Sequence, residues 1–101
     1  MLVRKRDGRV EPFQTAKVRR GFEFALADRP IDAEALDGMV ERVEQAARAD
    51  GPVIDSDLIG RAVLDELRQS DEVAYLRFAS VYKEFQAISD FERELAGLEG
   101  E

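Results

Sequence analysis

Residues 3–17 read VRKRDGRVEPFQTAK, and three signals inside that stretch decide how the fold begins. Asp7-Gly8 lies between two short segments carrying Val3 and Val10. A two-residue turn needs positive φ at both central positions, which Asp and Gly tolerate, so the stretch predicts a β-hairpin with strands near residues 2–6 and 9–13. Pro12 has no N–H to donate and ends the ladder. Gln14 or Thr15 then opens a helix to about Ala27, with Val18, Phe22, Ala25 and Leu26 along its apolar stripe.

An ideal two-residue loop would set Arg6 opposite Arg9, Lys5 opposite Val10 and Arg4 opposite Glu11. Two facing arginines repel unless an anion relieves them, which is a physical reason to expect a ligand. Lys17, Arg19 and Arg20 fall in the first two turns of the following helix, where cations oppose the positive end of the macrodipole. A phosphate held there by free N–H groups and Lys17 would relieve that conflict too. The alternative is a solvated edge hairpin whose charges discourage aggregation, beside a helix whose long side chains snorkel over the core edge.

The charge balance sharpens the choice. Residues 1–20 hold seven basic side chains against two acidic ones, +5 locally, in a chain of net charge −7, which leaves −12 on residues 21–101. A basic end on an acidic body suits an anionic ligand at one place. It disfavours direct DNA binding, which needs a basic stripe. The chain has 101 residues with 45% apolar composition, enough for one domain with a modest core.

It has no cysteine and no histidine, which removes disulfides, thiolate or imidazole zinc sites, Cys nucleophiles and histidine bases. No two carboxylates stand out as an acid/base pair, so no enzyme is expected. No run approaches the roughly 18–20 apolar residues needed to span a bilayer, and the N-terminus lacks the apolar core of a signal peptide, so a cytoplasmic chain is expected.

Downstream, the sequence reads as helices. Asp28-Arg29-Pro30 breaks the first, and Asp32 can cap a second in which Leu36, Met39, Val40, Val43 and Ala47 recur at helical spacing. Asp50-Gly51-Pro52 ends it. Asp55 or Ser56 can cap a third helix with Ile59, Ala62, Val63 and Leu67 inward, and Ser70 or Asp71 a fourth. The fourth carries apolar residues from Val73 through Phe85 and Ile88 on most of its faces and is expected to be the most buried. Its Tyr75 and Tyr82 could stack on a ligand, but aromatics at helical spacing are far more often core. Ser89-Asp90 could cap a last short helix with Phe91, Leu95 and Leu98, which packs back or pairs with a second copy.

Two runs carry a resemblance. Val3-x-Lys5-Arg6-Asp7-Gly8, then Glu11-Pro12-Phe13, then Lys17-Val18 resembles the signature of the ATP-cone, a regulatory nucleotide-binding domain. Val73-Ala74-Tyr75-Leu76-Arg77-Phe78-Ala79-Ser80-Val81-Tyr82, followed by Phe85 and Phe91, is similar in particular to the ATP-cone of the bacterial repressor of ribonucleotide reductase genes. The match covers about residues 3–92.

The resemblance implies an α+β, mostly α fold: an N-terminal β-hairpin packed on a bundle of about four helices, plus a short C-terminal helix. Residues 1–92 would form the nucleotide-binding domain, and 93–101 a tail at the end of that helix. It implies a regulatory domain that binds ATP or dATP, with Mg²⁺ on the phosphates, and changes oligomeric state without chemistry on the nucleotide.

By position, Lys5, Arg6 and Lys17 would contact phosphates, Glu11 would accept from the adenine amino group or ribose, and Val3 and Val18 would line the base pocket. The repressor family binds DNA through a four-cysteine zinc ribbon, and nothing of it occurs in these 101 residues. The chain is expected to be an isolated cone, a piece of a longer protein or a relative without its own DNA-binding part. Gln14 is a poorer helix opener than the Asp or Ser common in the family, and Asp55 precedes Ser56 where the family often places a hydroxyl near the phosphates.

One conflict arises inside these expectations. The two-residue register puts Lys5 and Glu11 on opposite faces of the hairpin, yet the resemblance asks both to serve one nucleotide; either the turn is not the simple type, a three-residue loop being expected to put Lys5 opposite Glu11, or one of the two reaches around the edge. Two other functions stay open. One is the N-terminal allosteric cone of a ribonucleotide reductase large subunit, and the other a nucleotide-independent helical interaction module.

Overall fold

The computed structural model describes residues 1–100 as a three-stranded sheet against five helices. In chain order these are β1 (Leu2–Arg4), β2 (Val10–Pro12), α1 (Thr15–Ala25), α2 (Ala33–Asp50), β3 (Val53–Asp55), α3 (Ser56–Ser70), α4 (Glu72–Tyr82) and α5 (Ile88–Glu99). The α+β, mostly α class expected from the sequence is the class found. No helix among the described residues is long and apolar enough to cross a membrane.

The hairpin departs from the two-residue register. Leu2 pairs with Pro12, Val3 with Glu11 and Arg4 with Val10. The Lys5 N–H donates to the Arg9 carbonyl at 2.7 Å and the Gly8 N–H to the Lys5 carbonyl at 3.0 Å. The loop is therefore Arg6-Asp7-Gly8, a turn closed by a glycine at φ 92°, the three-residue loop in which the last position must be left-handed. Asp7 adds its own reason for this turn: its carboxylate accepts from the Arg9 N–H and from Arg9 Nε. The three-residue loop does not place Lys5 opposite Glu11, since Val3 takes that position. It does resolve the conflict, because Lys5 follows Val3 by two residues and so shares the face that Glu11 occupies.

The facing arginines also disappear. Arg9 is bridged to Asp7 at 2.7 Å, and Arg6 is bridged to Asp57 at 3.1 Å. Arg19 is paired with Asp37, and Arg4 with Asp55 at 3.2 Å. Most of the repulsion expected at the basic end is thus relieved by the protein's own carboxylates.

β3 was not expected as a strand. It runs parallel to β1, giving the order β2-β1-β3, with Val3 opposite Ile54. Val3 and Ile54 on that inner face pack with Ala47 of α2 in a small core under the sheet. A larger core of α1 to α4 is built around Phe22, Val43 and Leu67. Phe13 and Ile59 touch both cores. The junction between the two cores is where the cavity described below lies.

Asp32 caps α2 by accepting from the Ala35 N–H at 2.7 Å, and Asp71 caps α4 by accepting from Val73 and Ala74, as the sequence suggests. α4 stops at Tyr82, before Phe85 and Ile88. The Phe85 N–H reaches the Ser80 carbonyl and the Glu84 N–H the Val81 carbonyl, with Glu84 left-handed at φ 54°. This is a Schellman ending in which Glu stands where Gly is usual. α4 also leaves Val73 and Val81 exposed, so it is less completely enclosed than its composition suggests. α5 buries no residue fully. It is tied to α4 by Glu94, which accepts from Lys83 Nζ at 2.5 Å and from the Tyr75 hydroxyl at 3.0 Å.

Candidate functional site

The hairpin, α1, α3 and α4 enclose a cavity of about 210 Å³. Its apolar lining comes from β1 and α1 through Val3 and Val18, both buried, and from α3 and α4 through Ile59, Val63 and Phe78. Its polar lining is Lys5, Glu11, Lys17, Gln14 and Ser56. Five of the six residues singled out from the sequence, Val3, Lys5, Glu11, Lys17 and Val18, therefore come together on one cavity. Arg6 does not: it stands beyond the Tyr82 ring, which forms one wall.

The electrostatics of the lining are uneven. Lys17 Nζ lies 3.4 Å from Glu11, and Glu11 also stands 3.8 Å from Arg9. Lys5 is half-buried, and among the described residues its ammonium has no carboxylate within ion-pair distance. A half-buried cation beside an apolar lining, without a partner, keeps its full capacity for an anion.

Two helix N-termini add to that capacity. α1 opens at Gln14 and α3 at Asp55, and neither side chain caps its helix. By contrast α2 and α4 are capped by Asp32 and Asp71. At these two ends the N-cap Gln14 of α1 and the first residue Ser56 of α3 line the cavity. Free N–H groups and the positive end of a helix dipole favour negative charge there. Asp55 is turned to Arg4 across the sheet and is not part of the lining.

Tyr82 is held from three directions. Its hydroxyl donates to Asp57 Oδ1 at 2.9 Å, the Arg6 guanidinium lies 5.0 Å from its ring centroid, and Phe78 stacks beside it at 6.0 Å. Its ring lies over Gly60, where a side chain of any size would overlap it. The hydrogen bonds from Tyr82 and then from Arg6 hold the Asp57 carboxyl below its usual range, and burial followed by the Asp57 bond pushes the Tyr82 phenol up.

Ser56, Gly60, Phe78 and Tyr82 were not assigned to a site from the sequence. Two i, i+4 pairs were available as a signal, Ser56 with Gly60 and Phe78 with Tyr82, since each puts two residues on one helix face. Tyr75, the other tyrosine considered, is buried in the core, and its hydroxyl is bonded to Glu94.

The family model for the ATP cone domain matches residues 1–88. Curated relatives include the transcriptional repressor NrdR of Frankia casuarinae, 48% identical over 102 residues that cover all of this chain and 56% of that protein. The transcriptional repressor NrdR of Mycobacteroides abscessus is 50% identical over 99 residues, 97% of this chain and 64% of that protein. That of Mycolicibacterium gilvum is 48% identical over the same shares. The chain thus spans 56–64% of the length of these relatives.

Proposed function

The chain belongs to the ATP-cone family, and on that premise we propose that it is a regulatory domain that binds ATP or dATP and passes the nucleotide state on as a change in self-association. The observation that carries this reading is the convergence of Lys5, Lys17 and Glu11 with Val3 and Val18 on one cavity beside two uncapped helix ends. At about 210 Å³ the cavity is smaller than the roughly 300–1,000 Å³ of sites that enclose a whole small molecule. It suits a nucleoside, with the phosphates leaving over the rim past Lys5, Lys17 and Ser56.

In this reading Val3 and Val18 pack on the base, and Glu11 accepts from the adenine amino group or the ribose. Lys5 and Lys17 act as point charges on the phosphates. Among the described residues no group of three or more carboxylates is placed to hold a metal ion, so Mg²⁺ would arrive on the triphosphate and leave with it. The reading is regulatory, and no chemistry on the nucleotide is proposed.

The similarity to transcriptional repressors favours a role inside a repressor of ribonucleotide reductase genes, with DNA contacted by a part outside these residues. The test is calorimetric titration with ATP and with dATP, followed by size-exclusion profiles at saturation. Saturable binding with a nucleotide-dependent shift in size is expected. Binding without any change in size would remove the association step. No heat and no rise in thermal midpoint at millimolar nucleotide would remove the reading, since a ligand of the native state at 100 times its Kd stabilises by about 2.7 kcal/mol.

A further inference from the structure

Arg6 is the one expected phosphate ligand that stands outside the cavity, and its surroundings explain why. Its Nε donates to Asp57 Oδ1 at 3.1 Å, and the Tyr82 hydroxyl donates to that same oxygen at 2.9 Å. One carboxylate oxygen therefore ties together the hairpin loop, the first turn of α3 and the last residue of α4. The Arg6 and Asp57 side chains are 56% and 52% exposed, so their pairing is a weak one, easily exchanged for a better anion.

There is also a path for that anion. On the outer side of Tyr82 lies a shallow depression lined by Lys5, Arg6, Asp7, Arg9, Ser56 and Tyr82. It shares Lys5, Ser56 and Tyr82 with the cavity. A phosphate chain leaving the cavity over Ser56 enters this depression, and the longer the chain, the closer its end comes to Arg6.

We propose that Asp57 is an internal competitor for Arg6, and that the distal phosphates of a polyphosphate displace it. In the absence of nucleotide Arg6 rests on Asp57 and Tyr82. A triphosphate draws Arg6 off the carboxylate and off the face of the Tyr82 ring, while the Tyr82 hydroxyl keeps its own bond to Asp57. A monophosphate is too short to reach Arg6 and leaves the pairing intact. The Arg6–Asp57 exchange thus sets discrimination by phosphate-chain length, a property that rests on the nucleotide-binding reading above.

The test is calorimetric titration of the whole chain with ATP and with AMP, for the native protein, Asp57→Asn, Arg6→Ala and the double variant, with circular dichroism to check each fold. Asp57→Asn should tighten ATP about two- to fivefold, the scale of an exposed ion pair, and leave AMP unchanged. Arg6→Ala should weaken ATP and abolish the tightening by Asp57→Asn.

Equal tightening of ATP with and without Arg6, or equal effects on ATP and AMP, would mean that Asp57 acts only as a general negative charge, and would overturn the proposal. ATP binding that Asp57→Asn leaves unaltered would overturn it while sparing the nucleotide site. Absence of ATP binding by the native chain would end both. Should Asp57→Asn fail to fold, Tyr82→Phe removes the second donor on the same oxygen, leaves Asp57 more available to Arg6 and should weaken ATP more than AMP; tighter ATP binding, or an equal change for ATP and AMP, would count against the exchange.

Discussion

The Tyr82 ring occupies the space that a Cβ on residue 60 would need, so Gly60 and Tyr82 form one wall of the cavity only because the glycine carries no side chain. α3 and α4 approach closely at this point, and neither element can adopt its position without the other's small or flat partner.

Gly60→Ala should therefore destabilise the fold or turn Tyr82 out of the wall. Overpacking of this kind costs about 1–3 kcal/mol, read as a drop in thermal midpoint of roughly 4–8 °C per kcal/mol for a domain of this size. A melting curve identical to that of the native chain, with Tyr82 unmoved, would contradict the packing described.

Lys5 and Lys17 line the same cavity but should not count equally. Lys17 is already engaged by Glu11 at 3.4 Å, whereas Lys5 has no carboxylate partner among the described residues. Lys5→Ala should weaken ATP by about tenfold or more, since a hydrogen bond to a charged group contributes about 1.5–3 kcal/mol. Lys17→Ala should cost less, and adenosine should be indifferent to both. Titration of the two variants with ATP and adenosine checks the order, and equal losses for both ligands would say that neither lysine meets phosphate.

Asp71 joins two roles, since it caps α4 and is bridged to Arg29 at 2.8 Å. The Arg29 hydrogen bond, and next the N–H groups of Ala74 and Val73, hold its carboxyl below the ordinary range. A carboxylate with a lowered folded pKa binds fewer protons folded than unfolded. Its stabilisation is full above about pH 4, the unfolded value, and is lost as pH falls through the lower folded value. Asp71→Ala should cost about 1–2 kcal/mol at pH 7 through the lost cap alone. Urea unfolding at pH 7 and pH 3 should show the gap between native and Asp71→Asn chains narrowing at the lower pH; a gap that widens would reverse the sign.

Glu94 fastens α5 through its bonds to Tyr75 of α4 and to Lys83 just beyond it. Burial pushes its carboxyl up, but the bonds from Lys83 and Tyr75 bring it below the usual value. Glu94→Ala should raise amide hydrogen exchange along α5 while leaving α2 and α3 protected. Unchanged exchange in α5 would mean that packing of Phe85 on Phe91 at 4.8 Å and of Leu98 on the core holds the helix without it.

What the sequence made legible is the part governed by local punctuation. Asp-Gly, Pro12, Asp32, Gly51-Pro52 and Asp71 each have a backbone consequence that needs no tertiary context, and the hairpin and the starts of α2 and α4 followed from them. The register did not follow, because Asp-Gly fits either a two-residue turn or the end of a three-residue loop, and the choice is made by Arg9 folding onto Asp7.

β3 was missed because three residues are too few to show a period, and Val53–Asp55 becomes a strand only by lying beside β1. The end of α4 was missed because Glu84 takes the left-handed position that glycine usually announces. On the cavity, the hairpin side was readable from a motif. The α3 and α4 side was not, since Gly60 and Tyr82 have the same spacing whether they line a cavity or fill a core.

The claim on which the rest depends is that adenine nucleotide enters the cavity between the hairpin and α1, α3 and α4. Heteronuclear NMR of the labelled chain during titration with MgATP tests it most directly. The account predicts saturable shifts centred on Lys5, Glu11, Lys17, Val18, Ser56 and Gly60, with Arg6 and Asp57 moving for ATP and not for AMP. Saturating shifts confined to α2 or α5, or none at millimolar nucleotide, would contradict it.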